Sequence, residues 1–307
     1  MTHDINNESR RPCVATIGFF DGVHRGHQFL IEKVKDEARE AGLASLVITF
    51  DKHPRQVLQQ SYQPQLLTTL DEKLRLLAMT GIDDVYVLHF TKELAALTAR
   101  EFMEQVLRDR LNVRKLVIGY DNRFGHNRAE GFDDYARYGR ELGIAVDQAP
   151  HFELGGVNVS SSVVRAFLNG GEVAMANKCL GRPFMLTGTV VRGFKEGRKM
   201  GFPTANLDTD DGLLVPADGV YAVDTQVNGQ GKWMPGMMNI GKRPTFHGTK
   251  RTLETHIFDF DGDIYGRRFA VRFLGKVRDE RMFESEEKLK EQLERDEKEI
   301  RKKLKQR

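Results

Sequence analysis

The chain has 307 residues, of which 40% are hydrophobic and 30% charged, with a formal net charge of +3. That length suits two globular domains, and the small net charge gives no general case for nucleic acid, so any basic region must be local. The longest apolar runs fall far short of the roughly 18 residues of a membrane helix, the N-terminus is polar without a signal-peptide core, and Cys13 and Cys179 lack metal-site spacing, so a cytoplasmic protein with structural thiols is expected.

The first predicted strand is the apolar run 14–20, and a helix is expected over 28–40, with Phe29, Leu30, Val34 and Ala38 on one face and Gly42 as its stop. Between them lies Phe20-Asp-Gly-Val-His-Arg-Gly-His27. Two histidines thus sit where a strand turns into a helix, the end of an α/β sheet that faces the ligand crevice. Backbone N–H groups at a helix start attract phosphate, and two imidazoles there can grip a nucleotide's phosphates. Gly18 and Gly22 allow close backbone approach, and Gly26 lets a phosphate approach the turn. His24 and His27 share a face once the first helical turn has begun.

Further strands are expected at 45–51, 84–90, 115–119 and 144–148, and helices at 70–81, 100–111, 132–142 and 161–168. Near-continuous apolar strands alternating with helices predict a parallel α/β domain. The pattern changes after Gly181-Arg-Pro183. Strand candidates at 185–192, 219–227, 232–239, 252–259 and 267–275 are separated by turn signals at Asn228-Gly, Lys242-Arg-Pro, His247-Gly and Asp261-Gly. A small antiparallel barrel or sandwich follows. A charged helix with a thin stripe of Leu289, Leu293, Ile300 and Leu304 closes the chain, its terminal cations suiting the helix dipole.

The second chemical constellation is the loop from Gly193 to Leu207. Gly193, Gly197 and Gly201 allow backbone approach to phosphates, and Arg198 and Lys199 bring positive charge. Thr204 and Asn206, two apart on an extended segment, offer hard oxygen ligands for Mg²⁺. Two lookalikes are rejected. Gly236-Met-Met-Asn-Ile-Gly-Lys-Arg243 lacks the Ser or Thr of a P-loop and is followed by Pro244. Asp259-Phe-Asp-Gly-Asp263 has Ile264 and Ala270 where a calcium loop needs Gly and Glu.

The 20–27 segment resembles the adenylyltransferase module of bacterial bifunctional riboflavin kinase/FAD synthetases, within the nucleotidyltransferases that carry His-x-Gly-His. Thr49-Phe-Asp-Lys-His-Pro54, Val117-Ile-Gly-Tyr-Asp-Asn-Arg-Phe-Gly125 and Val159-Ser-Ser-Ser-Val-Val-Arg165 resemble its further segments in order. Asn122 stands where Phe is usual and Ser162 where Thr is usual. The 193–207 loop resembles the riboflavin kinase loop with its Pro-Thr-Ala-Asn motif. That likeness continues through Asn239-Ile-Gly-Lys-Arg-Pro-Thr245, Leu253-Glu-Thr-His-Ile-Phe-Asp-Phe260, Tyr265-Gly266 and Arg278-Asp-Glu-Arg-Met-Phe283.

The resemblance implies an α/β fold class: a Rossmann-like nucleotidyltransferase domain over 1–182, then a small antiparallel β-barrel with a terminal helix, the riboflavin kinase domain, over 183–307. It implies phosphorylation of riboflavin to FMN by ATP with Mg²⁺, then adenylylation of FMN by a second ATP to FAD. His24, His27 and Arg165 are expected to hold ATP phosphates, beside Gly18, Phe20, Gly22, Gly26, Ser160, Ser161 and Ser162. Asp21 is expected to order the turn. Asp121 is assigned to substrate binding, on the flavin or the adenine side. Glu254 is implied as the general base on the riboflavin 5′-hydroxyl. Gly193, Gly197, Arg198 and Lys199 are expected at phosphate, Thr204 and Asn206 at the metal, and Arg278 and Phe283 near the isoalloxazine ring. A nucleotidyltransferase acting on another phosphate ester explains the histidines but not the Pro-Thr-Ala-Asn loop. An RNA-binding barrel calls for basic and aromatic residues interleaved on its strands, whereas here the basic residues concentrate in a Gly-rich loop. Neither nucleic acid nor membrane is expected as a partner, and the sequence leaves the oligomeric state open.

Overall fold

The computed structural model describes residues 11–305 apart from 60, 62, 64, 127, 128, 194, 195, 211, 246 and 247; for Glu196 and residues 243–245 and 248–250 the backbone alone is described. The turn signal at His247 and two members of the Gly193 loop, Phe194 and Lys195, therefore lie outside the described residues. By their contacts the residues form two compact units. One runs to residue 64 and includes Thr68–Ser160; the other comprises Gln65–Leu67 and Ser161 onward.

In the first unit, strands β1 (Cys13–Ile17), β2 (Ala44–Phe50), β3 (Asp84–Leu88), β4 (Val113–Ile118) and β5 (Ala145–Gln148) form one sheet in the order β3-β2-β1-β4-β5. Every pairing is parallel. Side chains alternate between the two faces. Val14, Val47 and Val117 pack with Ile31 and Val34 on one side. Ala15, Ile17, Leu46, Ile48 and Leu116 pack with Met103, Leu107 and Tyr135 on the other. Burial on both faces explains why these strands read as continuous apolar runs. The strand order reverses at β1, so the crevice at the carboxyl ends of β1 and β4 is the topological switch point.

Helix α1 (Arg25–Ala41) ends at Gly42, whose φ of 64° allows the left-handed cap. Its buried face is Leu30, Ile31, Val34 and Ala38. Phe29, expected there, is 38% exposed and packs against Phe152 with ring centroids 5.6 Å apart. The short α2 (Pro54–Leu58), α3 (Leu70–Ala78) and α4 (Lys92–Ala96) follow. The helix expected at 100–111 begins as one α-turn, α5 (Ala99–Glu101), and continues as a π-helical stretch, Phe102–Arg110. The wider winding buries Phe102, Met103, Val106 and Leu107 together. Helix α6 (Phe132–Leu142) and a small hairpin, β6 (Glu153–Leu154) with β7 (Val157–Asn158), complete this unit.

The second unit opens with α7 (Ser161–Asn169) and α8 (Val173–Leu180). Asn177 of α8 ties the helix to the barrel that follows: its Nδ2 donates to the Phe273 carbonyl at 2.8 Å and its Oδ1 accepts from the Phe184 N–H at 2.7 Å. The barrel strands are β8 (Phe184–Val191), β9 (Ala205–Thr209), β10 (Gly219–Val227), β11 (Met234–Thr245), β12 (Gly248–Ile257) and β13 (Arg268–Arg278). They close in the order β10-β11-β12-β9-β8-β13, with every neighbour antiparallel. Closure removes the exposed edges of a sheet. A four-residue helix, α9 (Glu196–Lys199), lies between β8 and β9, and α10 (Glu286–Leu304) ends the fold. Leu293, Ile300 and Leu304 of α10 cover Val220, Ala222, Met237 and Phe258 of the barrel unit.

Candidate functional sites

The first candidate site is the turn between β1 and α1. Phe20 is left-handed at φ 54°, Gly22 stands at φ 78° and Val23 at φ 38°. Contacts from Thr68 fix this turn. Thr68 donates its N–H (3.2 Å) and hydroxyl (3.3 Å) to Asp21 Oδ1, and its hydroxyl accepts from the Gly22 N–H at 3.1 Å. Asp21 is only 3% exposed. Its carboxylate therefore orders the turn.

His24 is the N-cap of α1, and its Nδ1 accepts from the His27 N–H at 3.3 Å. With Nδ1 used as an acceptor, the neutral His24 ring carries its proton on Nε2. The two imidazoles stack, centroids 3.6 Å apart and 20° from parallel, and the Phe20 ring meets His27 edge-on at 5.0 Å. His27 has its Nδ1 buried without a hydrogen-bond partner. Burial above all, then the charges of His24 and Lys73, holds the His27 pKa well below its ordinary value. His27 is thus neutral at pH 7, a single-proton donor rather than a fixed cation.

The glycines do more packing than the sequence conveys. A Cβ on Gly26 would stand 2.9 Å from the Val159 carbonyl oxygen and 3.1 Å from His24 Nδ1; one on Gly18 would stand 3.1 Å from the Phe20 ring. Asp121 is exposed just past β4. Asn122 beside it donates its Nδ2 to the Ile17 carbonyl at the end of β1. Ser160 closes the first unit, whereas Ser161, Ser162 and Arg165 begin α7 in the second. Arg165 Nε donates to the Gln65 carbonyl at 2.7 Å.

The second candidate site lies in the barrel unit. A cavity of about 250 Å³ is lined by residues that include Thr204, Asn239, Glu254, Arg278, Phe283 and Leu293. Glu254 on β12 stands opposite Asn206 on β9 and Asn239 on β11. Directly opposite residues share a face of the sheet. Thr204 Oγ1 donates to Glu254 Oε2 at 3.4 Å. A Cβ on Gly193 would fall 2.1 Å from Asn206 Nδ2, so this glycine is the condition for Asn206 to sit where it does. Gly197 is held as closely, its absent Cβ 2.3 Å from the Phe202 carbonyl oxygen. Arg198 and Lys199 are exposed at the end of α9. His256, two positions from Glu254, donates Nδ1 to the Pro203 carbonyl at 2.8 Å and so fixes the segment before Thr204.

Arg278, which also lines the cavity, donates its Nε to Asp296 Oδ2 at 2.9 Å, and Asp296 of α10 is 2% exposed. The Arg278 and Arg281 guanidinium carbons stand 5.6 and 4.9 Å from the Phe283 ring centroid. The rejected P-loop lookalike is part of strand β11. Asp259 of the calcium-loop lookalike is held by Arg301 through two hydrogen bonds of 2.8 Å.

Sequence reasoning alone does not single out Lys73, Thr68, His256 or Asp296. Only Lys73 carries a local signal: it lies at an inward position of α3 between Leu70 and Leu77, where an apolar residue is the rule.

Two family models match successive parts of the chain. A family model described as FAD synthetase matches residues 6–163, and one described as riboflavin kinase matches residues 180–304. A bifunctional riboflavin kinase/FMN adenylyltransferase of Escherichia coli (strain K12) is 40% identical over 295 residues, 96% of this chain and 94% of its own. Proteins of the same description are 41% identical in Pseudomonas fluorescens, over 94% of this chain and 91% of theirs, and 34% identical in Bacillus subtilis (strain 168), over 97% and 94%. A solved structure from Streptococcus pneumoniae, described as a macrolide-efflux protein, is 35% identical with a TM-score of 0.87 and covers 97% of this chain and 96% of its own. In the present chain no helix among the described residues is long and apolar enough to cross a membrane.

Proposed function

The chain belongs to the bifunctional riboflavin kinase/FMN adenylyltransferase family, and from that premise we propose how its two ATP-dependent steps are divided among its residues. It phosphorylates riboflavin to FMN and adenylylates FMN to FAD. We assign the first step to the barrel cavity, within residues 183–307, and the second to the β1–α1 turn, within residues 1–182.

In the kinase step Glu254 takes the proton from the riboflavin 5′-hydroxyl, whose oxygen attacks the γ-phosphate of ATP while ADP leaves. The observation that carries this reading is the row Asn206–Glu254–Asn239 across three strands, with Thr204 Oγ1 3.4 Å from the carboxylate. Among the described residues no three His, Cys, Asp or Glu side chains converge on a cation position. The donor set fits Mg²⁺ nonetheless, because that ion takes few protein ligands and relies on nucleotide phosphates and water. Thr204 and Asn206 would hold it, and it would neutralise charge on the phosphates. Gly193, Gly197, Arg198 and Lys199 form the loop over those phosphates, and Arg278 and Phe283 flank the flavin ring.

In the adenylyl step a phosphate oxygen of FMN attacks the α-phosphate of ATP and pyrophosphate leaves. No covalent enzyme intermediate is needed, so the protein positions the groups and stabilises charge. The Nε2 proton of His24 and the neutral His27 are donors to those phosphates, at the N-terminus of α1. Ser160 supplies a further phosphate contact, and Asp121 contacts substrate. The cytoplasm is the proposed site of action; Cys13 and Cys179 are both buried and in no disulfide.

Incubation with riboflavin, Mg²⁺ and ATP followed by chromatography tests the reading. FMN and then FAD are expected; absence of both, with oxidised and with reduced flavin, would overturn it.

A further inference from the structure

Lys73 is a cation in an interior position. It is 3% exposed, its Nζ donates to the carbonyls of Phe19 (3.1 Å) and Phe50 (2.8 Å), and it stands 4.2 Å from the Phe19 ring centroid. Those carbonyls lie at the exits of β1 and β2. The Phe19 carbonyl also accepts from Thr49 Oγ1 at 3.1 Å. The next residue, Phe20, is left-handed without being glycine, and Val23 shares that strain. Such conformations persist only where their surroundings over-determine them. A buried ammonium is likewise costly unless its protons are satisfied. Both costs fall on the segment that leads into His24, and nothing in the two reactions requires the lysine itself.

We propose that Lys73 is a positioning residue for adenylyl transfer: its ammonium ties the Phe19 and Phe50 carbonyls together and so holds the strained turn that presents His24 and His27. The proposal rests on the reading of that turn as the nucleotide site. The charged and titratable groups around Nζ are Asp21 on the turn, Asp51 after β2 and His27 on α1. Burial pushes the Lys73 pKa down to about 8, against the opposing pull of Asp21 and Asp51. The ammonium charge strengthens both hydrogen bonds, so the tie is strongest below that pH and weakens as pH rises through it.

The test uses full-length Lys73→Met, Lys73→Arg and, as a control, His24→Ala, with FAD formation from FMN followed between about pH 6.5 and 9.5, a range that brackets the lysine's titration. Riboflavin phosphorylation by the same samples reports on the rest of the molecule. Lys73→Met is expected to lower kcat for FAD formation at pH 7 about tenfold to a hundredfold, the scale of a misplaced reacting group. Its riboflavin phosphorylation is expected to stay within about twofold of wild type, since a positioning role touches only the first unit. Wild-type FAD formation is expected to fall above about pH 8, and Lys73→Arg, whose charge does not titrate in this range, is expected to remove that fall. Wild-type kcat in Lys73→Met, or an unchanged alkaline limb in Lys73→Arg, would overturn the proposal. Should Lys73→Met not fold, the Lys73→Arg profile decides alone. If His24→Ala also keeps FAD formation, the nucleotide-site reading itself fails; if it abolishes FAD formation while the Lys73 variants behave as wild type, only the present inference fails.

Discussion

Asn206 and Glu254 face each other across the β9–β12 ladder, and Thr204 Oγ1 reaches the same carboxylate at 3.4 Å. On the proposed reading, this puts the amide and hydroxyl assigned to Mg²⁺ beside the carboxylate assigned as base, the arrangement phosphoryl transfer uses. Glu254→Gln keeps the shape and removes the base. The expected result is a fall of about 10²- to 10⁴-fold in kcat for riboflavin phosphorylation, with FMN adenylylation unchanged, measured separately from riboflavin and from FMN.

Gly193→Ala tests the cradle. Its Cβ would stand 2.1 Å from Asn206 Nδ2, so the amide must move. A displaced ligand or its support costs about 10- to 100-fold in metal affinity. The Mg²⁺ concentration for half-maximal kinase activity is expected to rise on that scale, while the Mg²⁺ dependence of FAD formation from FMN stays the same.

The depressed pKa of His27 predicts a pH-dependent stability. The unfolded chain binds a proton there near pH 6.5, whereas the folded protein resists it. Stability from this group is therefore full above about pH 6.5 and is lost as pH falls towards the folded pKa. Thermal melting of the ligand-free protein between about pH 8 and 5 is expected to show that decline, and His27→Asn to reduce it.

Asn122, one of two departures from the pattern of the resemblance, has a structural role: it donates to the Ile17 carbonyl at the end of β1. Asn122→Ala is expected to destabilise the protein by about 0.5–1.5 kcal/mol in urea unfolding, the net worth of one such bond. Because Ile17 leads into the nucleotide turn, FAD formation is expected to fall more than riboflavin phosphorylation.

The parallel sheet, most barrel strands and both motif loops are legible because their signals are local: alternation with period 2, helical period, and glycine spacing. Strand β9 carries no such signal, since its five residues owe their form to pairing with β12 and β8 rather than to a strong pattern. Helix α8 escapes notice because Glu172 before it makes no side-chain cap. The close packing of the Phe20 ring at Gly18 and of the Val159 carbonyl at Gly26 has no signal in the local pattern. The supporting residues are illegible for one reason. Asn122 reaches a carbonyl 105 positions away, Lys73 reaches one 23 away, and Arg278 pairs with a carboxylate 18 away. No periodicity encodes such partners.

The central claim is that one chain carries two separable sites, and a paired time course of Glu254→Gln and His24→Ala tests it most directly. Each variant is supplied with ATP and Mg²⁺ and with riboflavin or FMN, and the products are resolved by chromatography. Glu254→Gln is expected to make no FMN from riboflavin yet to convert FMN to FAD. His24→Ala is expected to accumulate FMN without FAD. Loss of both activities in both variants, or of neither in either, would contradict the account.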